Sequence, residues 1–121
     1  MPAKTPEQCN SLLLDALTQG DLDAAMALYE PDASFVTEQG VVTGDAIRAV
    51  LEGFAGIKPS FDYTPKPSVV NGNIALTGNN WTVTGTDPDG NAVEMSGSSA
   101  EVLRQGADGN WRFLIDNPNA P

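Results

Sequence analysis

The chain has 121 residues with 16 acidic against 6 basic side chains, a formal charge of -10, and 40% hydrophobic residues. That length and composition fit one globular domain, 1–121, with a single core. A surface this acidic repels phosphate backbones and anionic head groups, so neither nucleic acid nor membrane is an expected partner.

From Thr5 or Pro6 to about Gln19, Leu12, Leu13, Ala16 and Leu17 recur at helical spacing, and Pro6 suits a first turn. Gly20 stops that helix, and Asp21 is a natural N-cap for a second. Leu22, Ala25, Met26 and Tyr29 share one side of the second helix, which Pro31 ends. "ASFVTE" (33–38) is β-branched enough for a short strand, and "QGVVTG" follows as a turn with a brief extended piece. Thr43-Gly44-Asp45 offers N-cap chemistry for a third helix, Asp45 to Gly56, with an apolar stripe of Ile47, Val50, Leu51 and Phe54.

The period then changes. Strands are predicted at 60–69, 73–86, 92–105 and 110–116, because runs rich in Val, Thr, Trp and Phe alternate with Gly, Asn, Asp and Pro clusters. "DPDGN" (87–91) and "GADGN" (106–110) carry Asp-Gly, which tolerates the positive φ of tight hairpin turns. Three helices followed by an antiparallel meander predict an α+β domain. Its helices pack on a strongly curved antiparallel sheet, which leaves a conical cavity open at one end.

The inventory of reactive groups is short. There is no histidine and only one cysteine, Cys9, which removes Ser-His-Asp and Cys-His nucleophiles and the usual zinc sites. No metal or cofactor is therefore expected, and acid–base chemistry has to use Asp, Glu, Tyr, Lys or the lone thiol. "DPDGN" lacks the spaced carboxylates of a calcium loop, and "GTDPDG" lacks the lysine and strand–loop–helix setting of a phosphate loop. The opening "MPAKTPEQCN" has no apolar leader core, and with one cysteine the expected location is cytoplasmic.

"QGDLDAAMALYEPDASFV", "GVVTGDAIRAVLEGF" and "GTDPDGNAVEMSGSSAEVLRQGADGNWRFLIDNP" together resemble the nuclear transport factor 2-like superfamily, closest to its ketosteroid isomerase-like and SnoaL-like groups. The resemblance implies a cystatin-like α+β barrel, cone-shaped around an apolar cavity, and a homodimer packed through the sheet. It also implies a function drawn from isomerases, cyclases, dehydratases and binding modules, among which fold alone does not choose. Ketosteroid isomerase pairs an Asp base with a Tyr and a protonated Asp as oxyanion donors. Counting without gaps from Gly20-Asp21-Leu22-Asp23, the base position falls on Thr37, the tyrosine on Leu13 and the protonated acid near Ser99 or Ala100. None of the three matches.

The candidates that remain are Glu38 and Asp116 as general bases, with Tyr29, Phe35, Phe54, Trp81 and Arg104 as ligand contacts. Glu38 needs an inward bulge to reach the cavity, since a one-residue shift turns a strand side chain to the opposite face. Strand alternation groups Ser99, Glu101 and Leu103 with Arg112, Leu114 and Asp116, leaving Ala100, Val102, Arg104, Trp111, Phe113 and Ile115 on the more apolar face, which is expected to be the core. Glu101 and Arg112 are then expected as an outer-face ion pair. The expected function is binding of a small apolar or aromatic ligand. An isomerase, cyclase or dehydratase using a pocket carboxylate, and a non-catalytic dimerisation module, are the alternatives.

Overall fold

A computed structural model describes residues 2–120. Helix α1, Pro6–Gln19, starts where Thr5 accepts a hydrogen bond from the Gln8 N–H and stops at Gly20, whose φ of 70° only glycine adopts freely. Helix α2, Leu22–Met26, is capped by the Asp21 carboxylate but is only five residues long. Tyr29, expected on that helix, instead begins strand β1, Tyr29–Thr37. Pro31 and the β-branched residues after it favour extended backbone, so the strand takes over before the helix completes a second turn. Strand β2, Gly40–Thr43, folds back on β1, and α3, Asp45–Gly56, follows with Ile47 and Leu51 buried. Gly44 is the cap of α3 and supplies no side-chain bond, unlike the cap chemistry expected at Thr43-Gly44-Asp45.

The second half holds seven strands rather than four: β3 Ser60–Pro65, β4 Val69–Asn71, β5 Ile74–Thr77, β6 Asn79–Thr86, β7 Ala92–Ser98, β8 Ala100–Gln105 and β9 Trp111–Asn117. Each of the three longest predicted strands breaks once, at the same level of the meander. Lys66–Ser68 separates β3 from β4, Gly78 separates β5 from β6, and Ser99 separates β7 from β8. A Cβ on Gly78 would lie 2.7 Å from the Ser99 carbonyl oxygen, so two bent chains touch there and only glycine fits.

The bend divides the strands into a six-stranded sheet, ordered β2-β1-β9-β8-β5-β4, and a three-stranded sheet, β3-β6-β7. The larger sheet is mixed, because β1 runs parallel to β9. The expected all-antiparallel sheet is corrected to that extent. The helices cover the concave side, where Leu13, Leu17, Ile47, Leu51, Phe35, Leu103, Trp111 and Phe113 form one core. With free edges on both sheets the cone stays open and does not close into a barrel. Among the described residues no helix is long and apolar enough to cross a membrane.

Which residues face the core departs from simple alternation. On β8 the buried residues are Glu101 and Leu103, not Ala100, Val102 and Arg104; on β9 they are Trp111, Phe113 and Asp116. Two features cause this: Gln105 pairs with Trp111 and Leu103 with Phe113 across the hairpin loop, which puts the Glu101–Leu103 face of β8 with those aromatic residues, and a β-bulge then pairs Val102 with Ile115, so Leu114 has no partner. One extra residue reverses the facing of everything after it. Phe113 and Asp116 therefore point to the same side although they are three residues apart. Glu101 and Arg112 are not an outer ion pair: Glu101 lies inside the cone, and Arg112 bonds Asp108 at 2.8 Å.

Candidate functional site

Between α1, α3 and the inner faces of both sheets lies a cavity of about 90 Å³ that opens to solvent. Its wall is mostly apolar, with Leu13, Leu14 and Leu17 from α1, Leu51 and Phe54 from α3, and Phe35, Phe61, Tyr63 and Trp81 from the strands. Of the residues expected at a site, Tyr29, Phe35, Phe54, Trp81 and Asp116 all line this space. Trp81 is held there by its indole N–H, which donates to the Pro118 carbonyl at 2.8 Å.

Glu38 and Arg104 do not line it. Strand β1 ends at Thr37, whose hydroxyl donates to the Gly40 carbonyl across the turn, and Glu38 sits in that turn rather than in the cone. The irregularity on β1 falls between Tyr29 and Ser34, ahead of Glu38, and the bulge on β9 is at Leu114. Arg104 lies outside the cone, donating to Glu30 at 3.2 Å and Asp32 at 3.0 Å, and these carboxylates raise its pKa.

The polar groups at the cavity form a chain of neighbours, hydrogen-bonded at its two ends and joined between Asp116 and Glu101 only by strand pairing. The Tyr29 hydroxyl donates to Asp116 Oδ2 at 2.5 Å. Asp116 is the cross-strand partner of Glu101, whose Oε1 accepts from the Thr77 hydroxyl at 2.7 Å. Thr77 in turn accepts from the Asn10 amide at 3.2 Å. Beside this chain the Ser99 hydroxyl accepts from the Asn79 backbone N–H at 3.0 Å, while the Asn79 side-chain amide makes no hydrogen bond among the described residues. The tyrosine ring is fixed by Phe113 at 5.0 Å and Phe35 at 6.5 Å.

Burial dominates the electrostatics. Removal from water pushes the Asp116 carboxyl up to about 7 from its ordinary 3.8; the Tyr29 hydrogen bond pulls it back down, and the nearby Glu101 charge adds to the rise. Tyr29 is raised well above its ordinary value, first by burial and then by Asp116. Cys9 is pushed up to about 12 by burial, and its thiol faces the carbonyls of Leu28 and Trp111, so it stays a protonated core side chain. A carboxyl that exchanges its proton near neutral pH, in an apolar cavity and braced by a phenol, is equipped for general acid–base work.

Sequence reasoning missed Glu101, Thr77, Asn10 and Asn79. Nothing in a period-2 pattern marks them, because Glu101 falls on the less apolar of two alternating faces and its partner Thr77 reads as ordinary strand composition. The three positions aligned with ketosteroid isomerase also divide: Leu13 and Ser99 line the cavity, whereas Thr37 is spent on its turn. Among the described residues no group of three His, Cys, Asp or Glu side chains is placed to hold a metal ion.

Known structures share this fold at low sequence identity. A conserved protein from Planctomyces limnophilus superposes with a TM-score of 0.84 at 18% identity, covering 92% of this chain and 89% of that one. A ketosteroid isomerase-like protein from Erwinia carotovora atroseptica gives 0.78 at 20% identity, covering 95% and 94%. The association domain of C. elegans CaMKII gives 0.75 at 14% identity, covering 94% and 92%. Identities this low establish the shared fold and nothing about activity. No curated protein sequence matches the chain significantly. The model of the SnoaL-like domain matches residues 12–113, most of the chain. That match, over most of the chain, shows that the chain belongs to the SnoaL-like domain family.

Proposed function

We propose that the protein binds a small apolar or aromatic molecule in the cone and holds that molecule's polar group against Asp116. The observation that carries this reading is the placement of Asp116 and Glu101, both buried, in a cavity walled mostly by leucine and aromatic side chains. An interior serving only as packing would fill this space with apolar groups, because buried carboxyls are costly. A pocket that combines an apolar wall with a few convergent polar groups is the usual form of a ligand site.

The neutral aromatic probe 2-naphthol tests it. Saturable binding is expected for the native protein, followed by the probe's fluorescence. Leu14 on α1 is only partly buried and lines the cavity, so Leu14→Trp fills the space with little strain on the core. Affinity is expected to fall at least about tenfold in that variant, with the melting temperature nearly unchanged. Equal binding by Leu14→Trp, or no saturable binding by the native chain, contradicts the reading.

A second reading, proton transfer of the isomerase, cyclase or dehydratase type, is favoured by Asp116 alone. Its carboxyl exchanges a proton near neutral pH, and the Tyr29 hydroxyl fixes the orientation of one oxygen. The phenol's hydrogen is committed to Asp116, so an oxyanion has to be met by Asn79, Ser99 or the protonated Asp116 itself.

The outer face of the larger sheet supports a homodimer. Val69, Leu76, Val102 and Ile115 are successive cross-strand partners and form one apolar row across β4, β5, β8 and β9. Three of them are exposed, Val69 at 60%, Leu76 at 49% and Ile115 at 41%. An apolar row of this extent on an exposed sheet face marks an association surface. Leu76→Lys is expected to convert the dimer to a monomer in sedimentation experiments without unfolding the cone. A native chain that sediments as a monomer at high micromolar concentration contradicts this.

A further inference from the structure

We propose that the cavity selects an organic cation, a protonated amine carried on an apolar or aromatic body, over neutral and anionic molecules of the same shape. The inference rests on the ligand-pocket reading above and specifies the chemical class of the ligand.

Two carboxyl side chains, Glu101 and Asp116, are cross-strand partners inside the cone, and each is more than nine-tenths buried. Their described hydrogen-bond donors are one each: Thr77 for Glu101 and Tyr29 for Asp116. Each carboxylate has two oxygens and room for several donors, so both keep acceptor capacity facing the cavity. Among the described residues no lysine or arginine lines that cavity. Lys66 sits over the neighbouring cleft, with its ammonium on the Ser98 hydroxyl and the Ser99 carbonyl. A buried negative charge without a cation is among the costliest arrangements in a protein. A ligand ammonium supplies the missing charge.

The rest of the wall agrees. Phe35, Phe54, Phe61, Tyr63 and Trp81 surround the space, and aromatic faces attract cations. The Asn79 side chain, 8% exposed and unpartnered among the described residues, also lines the cavity and offers a carbonyl oxygen to an N–H donor. The chain's overall charge of -10 steers cations toward it and anions away.

Proton linkage follows from the same groups. The titratable groups around Asp116 are Tyr29 on β1, Glu101 on β8 and, across from α1, Cys9. None of them is a cation, so an ammonium bound here favours the ionised carboxyl and displaces its proton. With Asp116 titrating at about 7, its ionised fraction falls about tenfold between pH 8 and pH 6.

The test compares three molecules of similar shape, 2-phenylethylamine, 2-phenylethanol and phenylacetate, by isothermal titration with the native protein. The amine stays protonated at both pH values. At pH 8 it is expected to bind at least about tenfold tighter than the alcohol, with phenylacetate weakest. Its affinity is expected to fall about tenfold at pH 6, while that of the alcohol stays flat. The double substitution Glu101→Gln and Asp116→Asn is expected to remove the preference and leave alcohol binding; if that variant does not fold, the pH series on the native protein decides between the same outcomes. Alcohol or phenylacetate binding as tightly as the amine overturns the cation assignment and leaves the pocket reading standing. An amine affinity independent of pH also overturns it. Failure of all three molecules to bind overturns both.

Discussion

Replacing Asp116 with asparagine is expected to raise the melting temperature at pH 8 and to leave it nearly unchanged at pH 4. In the folded chain this carboxyl titrates at about 7, against an ordinary 3.8. Between those values the folded state holds a proton that the unfolded state has released, so stability falls as pH rises through the window. The stabilisation is fully present below about pH 4 and is lost once pH passes about 7. The gap corresponds to about 4 kcal/mol at alkaline pH, or on the order of 10 °C or more for a domain of this size. Asparagine removes the charge while keeping the contacts: its carbonyl accepts from Tyr29, and its amide donates toward Glu101. Thermal melts from pH 4 to pH 8 are expected to slope downward for the native chain and to flatten in the variant. Parallel curves would mean that Asp116 is ionised throughout.

The second large effect is expected at Phe113, which is fully buried. Phe113→Ala removes a ring packed against Tyr29 and at the centre of the concave face. Substitutions of this kind cost about 3–5 kcal/mol. The loss reaches the site as well, because the Tyr29 ring loses the neighbour that orients its hydroxyl toward Asp116. Urea unfolding is expected to show the full loss, with weakened 2-naphthol binding in the fraction that remains folded. Ile115→Ala, on the exposed face of the same strand, is expected to cost less than about 1 kcal/mol in the monomer. Equal costs at the two positions would contradict the facing assigned to β9.

The facing of β9 is also where sequence reasoning stops. The stripe of α3 and the caps of α1 are local: Ile47, Val50, Leu51 and Phe54 repeat along one helix face, and Gly20 ends α1 by its own backbone freedom. Such features are legible because the cause and the pattern lie within one segment. Tyr29 reads as helical because its spacing from Met26 fits either a helix or a loop leading into a strand, and the pairing of β1 with β9 decides between them. The breaks at Gly78 and Ser99 depend on two chains meeting, which neither segment announces alone.

The bulge has the largest consequence. Alternation along "NWRFLIDN" assumes that every residue has a partner, and Leu114 has none. The side of β8 is decided separately, by the hairpin register: Trp111 and Phe113 pair with Gln105 and Leu103, so their apolar character belongs to the Glu101–Leu103 face, and Val102 joins the outer apolar row. The aromatic side chains at Phe35, Phe54 and Trp81 are legible in the sequence as pocket candidates, whereas Asp116 is named there as a candidate base on the face read as outer and is turned inward by the bulge. Glu101 shares a face with Asp116 in the sequence as well, but that face reads as the outer one, and the structure is what places both carboxyls inside the cone.

The most direct measurement is a carbon-detected NMR titration of the Asp116 side-chain carboxyl in the native protein, assigned by comparison with Asp116→Asn. A midpoint near 7 is expected, from burial and the adjacent Glu101 charge. A midpoint at or below about 4.5, the range of a solvated carboxylate, would show that Asp116 is ionised and hydrated at neutral pH, and would contradict a buried acid at the head of the pocket.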